Sequence, residues 1–445
     1  MTNDTSQSAL SALIVTYVWP PTGGVGSQRV RKLAKFLPEH GVKPSVLTVE
    51  NPSVPLVDTS LLSDVPPNID VIRVRTLEPS YASKQFVWSQ SRQDGPPSLV
   101  ARLRRTATAI ARQALIPDPQ VLWQPGVQRV LYKRLRAGLD DVVLISAPPF
   151  STFLSAPLIR MVGRSSVVLD YRDEWSTLRT QYEMLSRVGA LVGSGLERQL
   201  LRCAAAITVA TDAFRDHLLS QFAFLDPARV VTIANGYDPD DLPSDLLDVN
   251  PPPTDRFVLT YAGTVFKQNS PHGLMAGLRL LKEREPELSR LLSVRFLGRI
   301  VDTELDVFHG SEALGVEKVG FVGQDEVRRA LAASHMTLSL LDIMPGAERI
   351  YPAKTFELMT IGRPCLTIAP EGALTTLARR HHLGPVVEAR DAESIANTLA
   401  TALRQWRDGM FDLRSHPVDI DQFHRRAVAG RFANLFRTVR ANPVA

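Results

Sequence analysis

Apolar residues fall along this chain in short, nearly continuous runs. The runs at 12–19 (ALIVTYVW), 141–149 (DVVLISAPP), 165–175 (SSVVLDYRDEW), 204–211 (AAAITVAT) and 228–238 (ARVVTIANGYD) are rich in β-branched residues. Strands covered on both faces of a parallel sheet read this way. Between them the period changes. In SQRVRKLAKFLPEHG, Val30, Leu33, Ala34 and Leu37 share one helical face, Ser27 is placed to cap the start, and Gly41 ends the segment. PSVLTVE (44–50) then supplies a second strand and completes a βαβ unit.

The pattern breaks at 235–256 (NGYDPDDLPSDLLDVNPPPTDR), where Pro, Asp and Asn accumulate as they do in linkers. Alternation restarts with FVLTYAG (257–263), SVRFLG (293–298), VEKVGFVG (316–323), MTLSLLD (336–342), PCLTIAP (364–370) and GPVVEA (384–389). Strands alternating with helices predict a doubly wound α/β architecture, here twice over. The expected division is an N-terminal domain at 1–240, a linker at 241–255 and a second domain at 256–420. An amphipathic helix at 421–445 is expected to return to the first domain. Residues 51–119 carry no clear period and read as irregular structure plus one basic helix.

Length agrees with two domains, since 445 residues exceed one ordinary core. The chain is 44% hydrophobic and 22% charged, a globular balance. Its net charge of +5, from 51 basic and 46 acidic residues, is too small an excess to signal a nucleic-acid partner. The two cysteines, Cys203 and Cys365, cannot make a disulfide framework, which points to a reducing compartment. The first ten residues lack a secretory pattern, and no apolar run approaches the roughly 20 residues of a membrane span. A cytoplasmic protein is expected. The basic, amphipathic stretch VARLRRTATAIARQAL (100–115) reads either as a solvated helix face or as a peripheral contact with an anionic membrane.

Two stretches carry candidate chemistry. In YVWPPTGGVGSQRVRK, Gly23, Gly24 and Gly26 stand between a strand and a helix. Bare backbone N–H groups at a helix start suit a phosphate, although a tight turn uses glycine too. In RIYPAKTFELMTIGRPCL, Pro352 fits a first helical turn, while Gly362 and Pro364 stop the helix. Lys354 and Glu357 then lie one turn apart, either as an anion and hydroxyl site or as a solvated pair. The D-x-D spelling in YDPDD (237–241) sits among turn formers and implies no metal. His381 and His382 are adjacent on an expected surface segment and point apart, a poor ligand pair. Neither G-x-S-x-G nor H-E-x-x-H occurs.

The order of these stretches, with DYRDEW, NGYDPDD, YAGTVFKQNSP, FLG and GFVG among them, resembles the GT-B glycosyltransferases. The closer likeness is to the retaining GT4 group that includes bacterial capsule, lipopolysaccharide and antibiotic-sugar transferases. The resemblance covers nearly the whole chain. It implies two Rossmann-like domains facing across a cleft, with a nucleotide sugar, UDP-linked, held mostly by the second domain. A hydroxyl acceptor would be held by the first, with no cofactor and no metal. Gly23, Gly24 and Gly26 would meet the diphosphate and sugar, and Arg29, Arg31 and Lys32 would add a favourable field. Glu357 matches the second glutamate of the E-x7-E motif, which binds ribose. Arg349 occupies the place of the first, so Glu348 becomes its substitute. Thr264, Lys267 and Arg299 would face the diphosphate, with Val322, Lys354 and Thr355 also lining the nucleotide sugar. Arg172 or Asp173 would face the donor sugar. Gly24, Arg172, Asp173, Lys267 and Glu348 are then the residues at the reacting centre. A GT-B sugar-nucleotide epimerase and a non-catalytic nucleotide-sugar binder are the competing readings.

Overall fold

The β-branched runs form strands, and the strands build two sheets. In the computed structural model the described residues are 9–23, 25–54, 57–81, 115–175 and 187–442. The chain divides into two units, Met1–Ala234 with Arg425–Ala445, and Asn235–His424. The second therefore begins at Asn235, and the expected linker lies inside it. Leu246 is buried there, and Leu247 packs so closely on Gly362 that a Cβ at Gly362 would come within 2.9 Å of it.

The first unit holds strands β1 (Leu10–Val15), β2 (Val42–Val49), β3 (Asp70–Val74), β4 (Val142–Ala147), β5 (Ser166–Tyr171), β6 (Ala206–Val209) and β7 (Val230–Thr232). They form one parallel sheet in the order β3-β2-β1-β4-β5-β6-β7. β1, β4 and β5 are buried almost throughout, as their unbroken apolar composition predicts. Helices α1 (Val25–Phe36), α2 (Gln124–Ala137), α3 (Ala156–Val162), α4 (Arg187–Arg202) and α5 (Asp212–Gln221) accompany the sheet. β3 lies in the stretch that showed no period, because its residues are only partly buried and alternate weakly.

The helix Arg425–Ala441 belongs to this unit. Its Val428, Ala429, Phe432, Ala433, Phe436 and Val439 share a core cluster with Ala12, Ile14, Val30, Leu33 and Val46. Burying one such large side chain is worth about 1.5–3 kcal/mol, so this face anchors the helix firmly.

The second unit repeats the plan. Strands β8 (Phe257–Ala262), β9 (Leu292–Leu297), β10 (Val316–Gly320), β11 (Met336–Leu340), β12 (Cys365–Ile368) and β13 (Val386–Val387) form a parallel sheet in the order β10-β9-β8-β11-β12-β13. Helices α6 (His272–Arg284), α7 (Gln324–Ala332), α8 (Lys354–Ile361), α9 (Ala373–Arg380) and α10 (Ala392–Arg407) accompany it.

Several local expectations change. α1 begins at Val25, so Ser27 sits inside the helix, fully buried, and is not its cap. α8 begins at Lys354, which leaves Pro352 just outside it. His381 is buried, with Nδ1 2.8 Å from the Val418 carbonyl and its ring edge-on to Phe423. Adjacency in sequence had suggested a surface pair, but only His382 is exposed. Gly24 and most of the basic stretch, 100–114, lie outside the described residues. Among the described residues no helix is long and apolar enough to cross a membrane.

Candidate functional site

In a doubly wound sheet the strand order reverses at one place, and the carboxyl ends of the strands flanking it form a natural crevice. In the first unit that place lies between β1 and β4, and in the second between β8 and β11. The candidate residues gather at both.

At the first, Arg172 follows β5 and uses its guanidinium on backbone carbonyls. Nε donates to Ala147 O at 3.1 Å, while the other two nitrogens donate to Pro148 O and Gly26 O. Arg172 therefore ties the end of β4 to the start of α1. Gly26 is needed for close approach, since a Cβ there would come within 3.1 Å of the Arg172 guanidinium. Gly23 is half-buried at the loop, and Asp173 is exposed beside Arg172.

Behind this brace the basic residues of α1 do not project a field. Arg29 is 3% exposed and lies in an ion pair with Asp170, Nη2 to Oδ1 2.9 Å. It also donates to Ile233 O and Ala234 O. Asp170 accepts further from Ser146 Oγ and Thr208 Oγ1, at 2.8 and 2.7 Å. Burial pushes the Asp170 carboxyl up, but the Arg29 charge and these hydrogen bonds outweigh it and hold the pKa below its ordinary value. Arg31 and Lys32 both reach Asp64, each at 3.0 Å. The expected favourable field is thus corrected to a set of internal ion pairs. Basic residues flanking an apolar helical stripe read as a solvated or ligand-facing surface until the carboxylates opposite them are known.

The second switch point is denser. β8 ends in Ala262, and Gly263 follows at φ +135°, a conformation that favours glycine. Gly298, after β9, stands at φ +130°, and a Cβ on it would lie 2.4 Å from the Gly263 carbonyl oxygen. A Cβ on Gly263 would in turn lie 2.4 Å from Lys354 Nζ. The glycines of YAG and FLG therefore make room for each other and for the lysine that opens α8.

Lys354 is half-buried. Its Nζ donates to Tyr261 Oη at 2.5 Å and to Ala262 O at 3.0 Å, and lies 3.9 Å from the centroid of the Tyr261 ring. No carboxylate among the described residues pairs with it. Burial lowers its pKa to about 7, and the Glu357 charge, acting the other way, does not restore it. Tyr261 passes the network on by donating to Thr264 O at 3.3 Å.

The loops after β8 and β9 are zipped together, Val265 N to Arg299 O at 2.8 Å and Val301 N to Val265 O at 3.0 Å. This brings the backbones around Thr264, Lys267 and Arg299 side by side, with all three side chains exposed. Asp342, just past β11, is a buried carboxylate that the sequence reading did not single out. Its N–H donates to Gln268 O at 2.7 Å, and its oxygens lie 3.4 Å from His272 Nδ1 and 3.4 Å from Arg390 Nε. It fixes the Lys267 turn to the end of β11. Its signal was there, a lone acid closing the apolar run SLLD, as Tyr261 was a lone phenol inside FVLTYAG.

Glu348 lies on a short turn, Ala347–Arg349, and pairs with the Arg349 that replaces the expected glutamate. Its backbone is packed so tightly on Gly372 that a Cβ there would lie 2.3 Å from Glu348 O. Glu357 is exposed one turn into α8. Thr355 is buried, with its hydroxyl 3.3 Å from Ser339 Oγ on β11. Val322 is half-buried two residues beyond β10. Among the described residues no group of three His, Cys, Asp or Glu could hold a metal ion. Asp238 of the D-x-D spelling instead accepts from the Asp240 N–H, closing a turn.

Residues 23–236 match the family model described as a Glycosyl transferase 4-like domain. This segment belongs to that family. Over that segment the chain is similar to GT4-like glycosyltransferases. Its fold is GT-B, as three solved structures make plain. HepE of Anabaena, solved with UDP and glucose, is 14% identical at a TM-score of 0.60, covering 96% of this chain and 100% of its own. The sucrose-phosphate synthase of Thermosynechococcus elongatus is 14% identical at 0.59, covering 97% and 99%. The lipopolysaccharide outer core galactosyltransferase WaaB is 12% identical at 0.57, covering 96% and 99%. Among curated protein sequences none matches this chain.

Proposed function

We propose that this protein transfers a sugar from a UDP-linked donor to a hydroxyl acceptor with retention of configuration. The observation that carries the reading is Lys354, a lysine that pairs with no carboxylate among the described residues, at the switch point of the second sheet. A diphosphate leaving group gains charge as the glycosidic bond breaks, and a preplaced cation and a helix start stabilise that charge. Lys354 and the exposed Lys267 and Arg299 supply the positive groups, and Glu357 accepts hydrogen bonds from the ribose. Glu348, held by Arg349 and Gly372, faces the donor sugar in place of the missing first glutamate. In the first unit, Arg172 sets the position of the Gly26 turn, with Asp173 beside it. Same-face attack, with the departing phosphate taking the acceptor's proton, accounts for retention without an enzymic nucleophile. That HepE was solved with UDP and glucose supports the choice of donor.

The test is a thermal-shift screen of UDP-, GDP- and ADP-sugars. A donor at a hundred times its Kd adds about 2.7 kcal/mol of stability. Stabilisation by UDP-sugars above the others supports the reading, and none by any nucleotide sugar overturns it. Transfer is expected to continue at full rate in excess EDTA. A loss that Mg²⁺ or Mn²⁺ reverses would contradict metal independence.

A further inference from the structure

Tyr261 plays no part in the donor reading above, yet every contact of the Lys354 amine passes through it or the residue next to it. Its ring is buried beneath the amine, its hydroxyl accepts from Nζ, and the same hydroxyl donates to Thr264 O. The amine sits at a turn where Gly263 leaves just the space it fills. Its acceptors are a phenol and a peptide carbonyl, both neutral. Such a seat satisfies the hydrogens of an uncharged amine, and burial disfavours the charge until an anion arrives.

We propose that Tyr261 is a positioning residue of the donor site, holding the Lys354 amine at the Gly263–Thr264 turn so that it takes up a proton from solvent when the donor's diphosphate binds. The inference rests on the donor reading above. The step balances simply: a solvent proton joins the neutral amine to give an ammonium, and the diphosphate keeps its charge. The titratable groups bearing on Lys354 are Tyr261 from β8 and Glu357 on its own helix. Burial pushes the Tyr261 phenol up, so it stays neutral throughout. The lysine's own depressed pKa agrees with the geometry.

The experiment is calorimetry of UDP-glucose binding to the full chain at pH 7.5, in Hepes and in Tris. UDP-glucose has no group that titrates near this pH, so the difference in heat between buffers counts protons gained by the protein. With an amine titrating near neutrality, uptake of about half a proton or more per nucleotide is expected. Lys354→Met, which has no amine to protonate, is expected to bind at least tenfold more weakly and with no uptake. Tyr261→Phe keeps the ring but loses the hydroxyl, and uptake is expected to fall by at least half. Binding without proton uptake, uptake that survives Lys354→Met, or uptake unchanged in Tyr261→Phe overturns this inference and leaves the donor reading intact. If UDP-glucose and the other nucleotide sugars of the screen all fail to bind, both fall together.

Discussion

A single side chain can read the same in sequence and do opposite jobs in the fold. Arg29 and Lys354 both stand in the first turns of a helix that follows a sheet strand. Arg29 spends its charge on Asp170, whereas Lys354 meets only neutral acceptors. Removing one partner of a buried pair leaves the other charge unmatched, which costs about 3–5 kcal/mol. Asp170→Ala is therefore expected to lose stability on that scale in chemical denaturation. A loss below about 1 kcal/mol would mean that Arg29 finds another anion or water. Glu357 is exposed one turn into α8. Glu357→Gln is expected to raise the donor KM about tenfold or more, a difference of at least 1.4 kcal/mol, with the fold retained. An unaltered KM would remove Glu357 from the ribose.

Elements were the most legible level. Strands buried on both faces have to be apolar throughout, so β1, β4, β5, β8, β11 and β12 were visible as runs. β3 was not, because a partly exposed strand is free to carry Asp70 and Arg73 among its apolar residues. The candidate site was half legible. Lys354 and Glu357 stood out because helix stops and charge spacing are local facts. Tyr261 and Asp342 did not, because their roles depend on which loop the tertiary fold lays against them. The paired glycines belong to this scale too, since they join two strand ends to a helix start. Gly263→Ala is expected to cost about 1–3 kcal/mol for a side chain at positive φ and to displace Lys354 as well. Urea denaturation measures the first effect and donor affinity the second. A variant as stable and as tight-binding as the parent would show that the turn yields freely.

At the scale of the molecule, the chain leaves its first unit after Ala234 and comes back to it at Arg425. The outgoing and returning segments run side by side, with Tyr237 N 3.0 Å from Phe423 O and a parallel bridge from Tyr237 to His424. The second unit thus has neighbouring ends and a core of its own. The first needs Phe432 and Phe436 to cover its α1 face. Translation meets this arrangement in a fixed order. When residue 424 has been added, the later unit has everything it requires, while the earlier one still lacks a helix and carries an uncovered apolar face. The part made first is finished last, so a nonsense codon near 425 is a lesion of the amino-terminal unit. Expressed alone, 235–424 is expected to melt cooperatively. Residues 1–234 are expected to aggregate, and a peptide of 425–442 supplied in trans is expected to restore solubility. A soluble, cooperatively folding 1–234 fragment would show that the returning helix is dispensable and that the first unit does not wait for it.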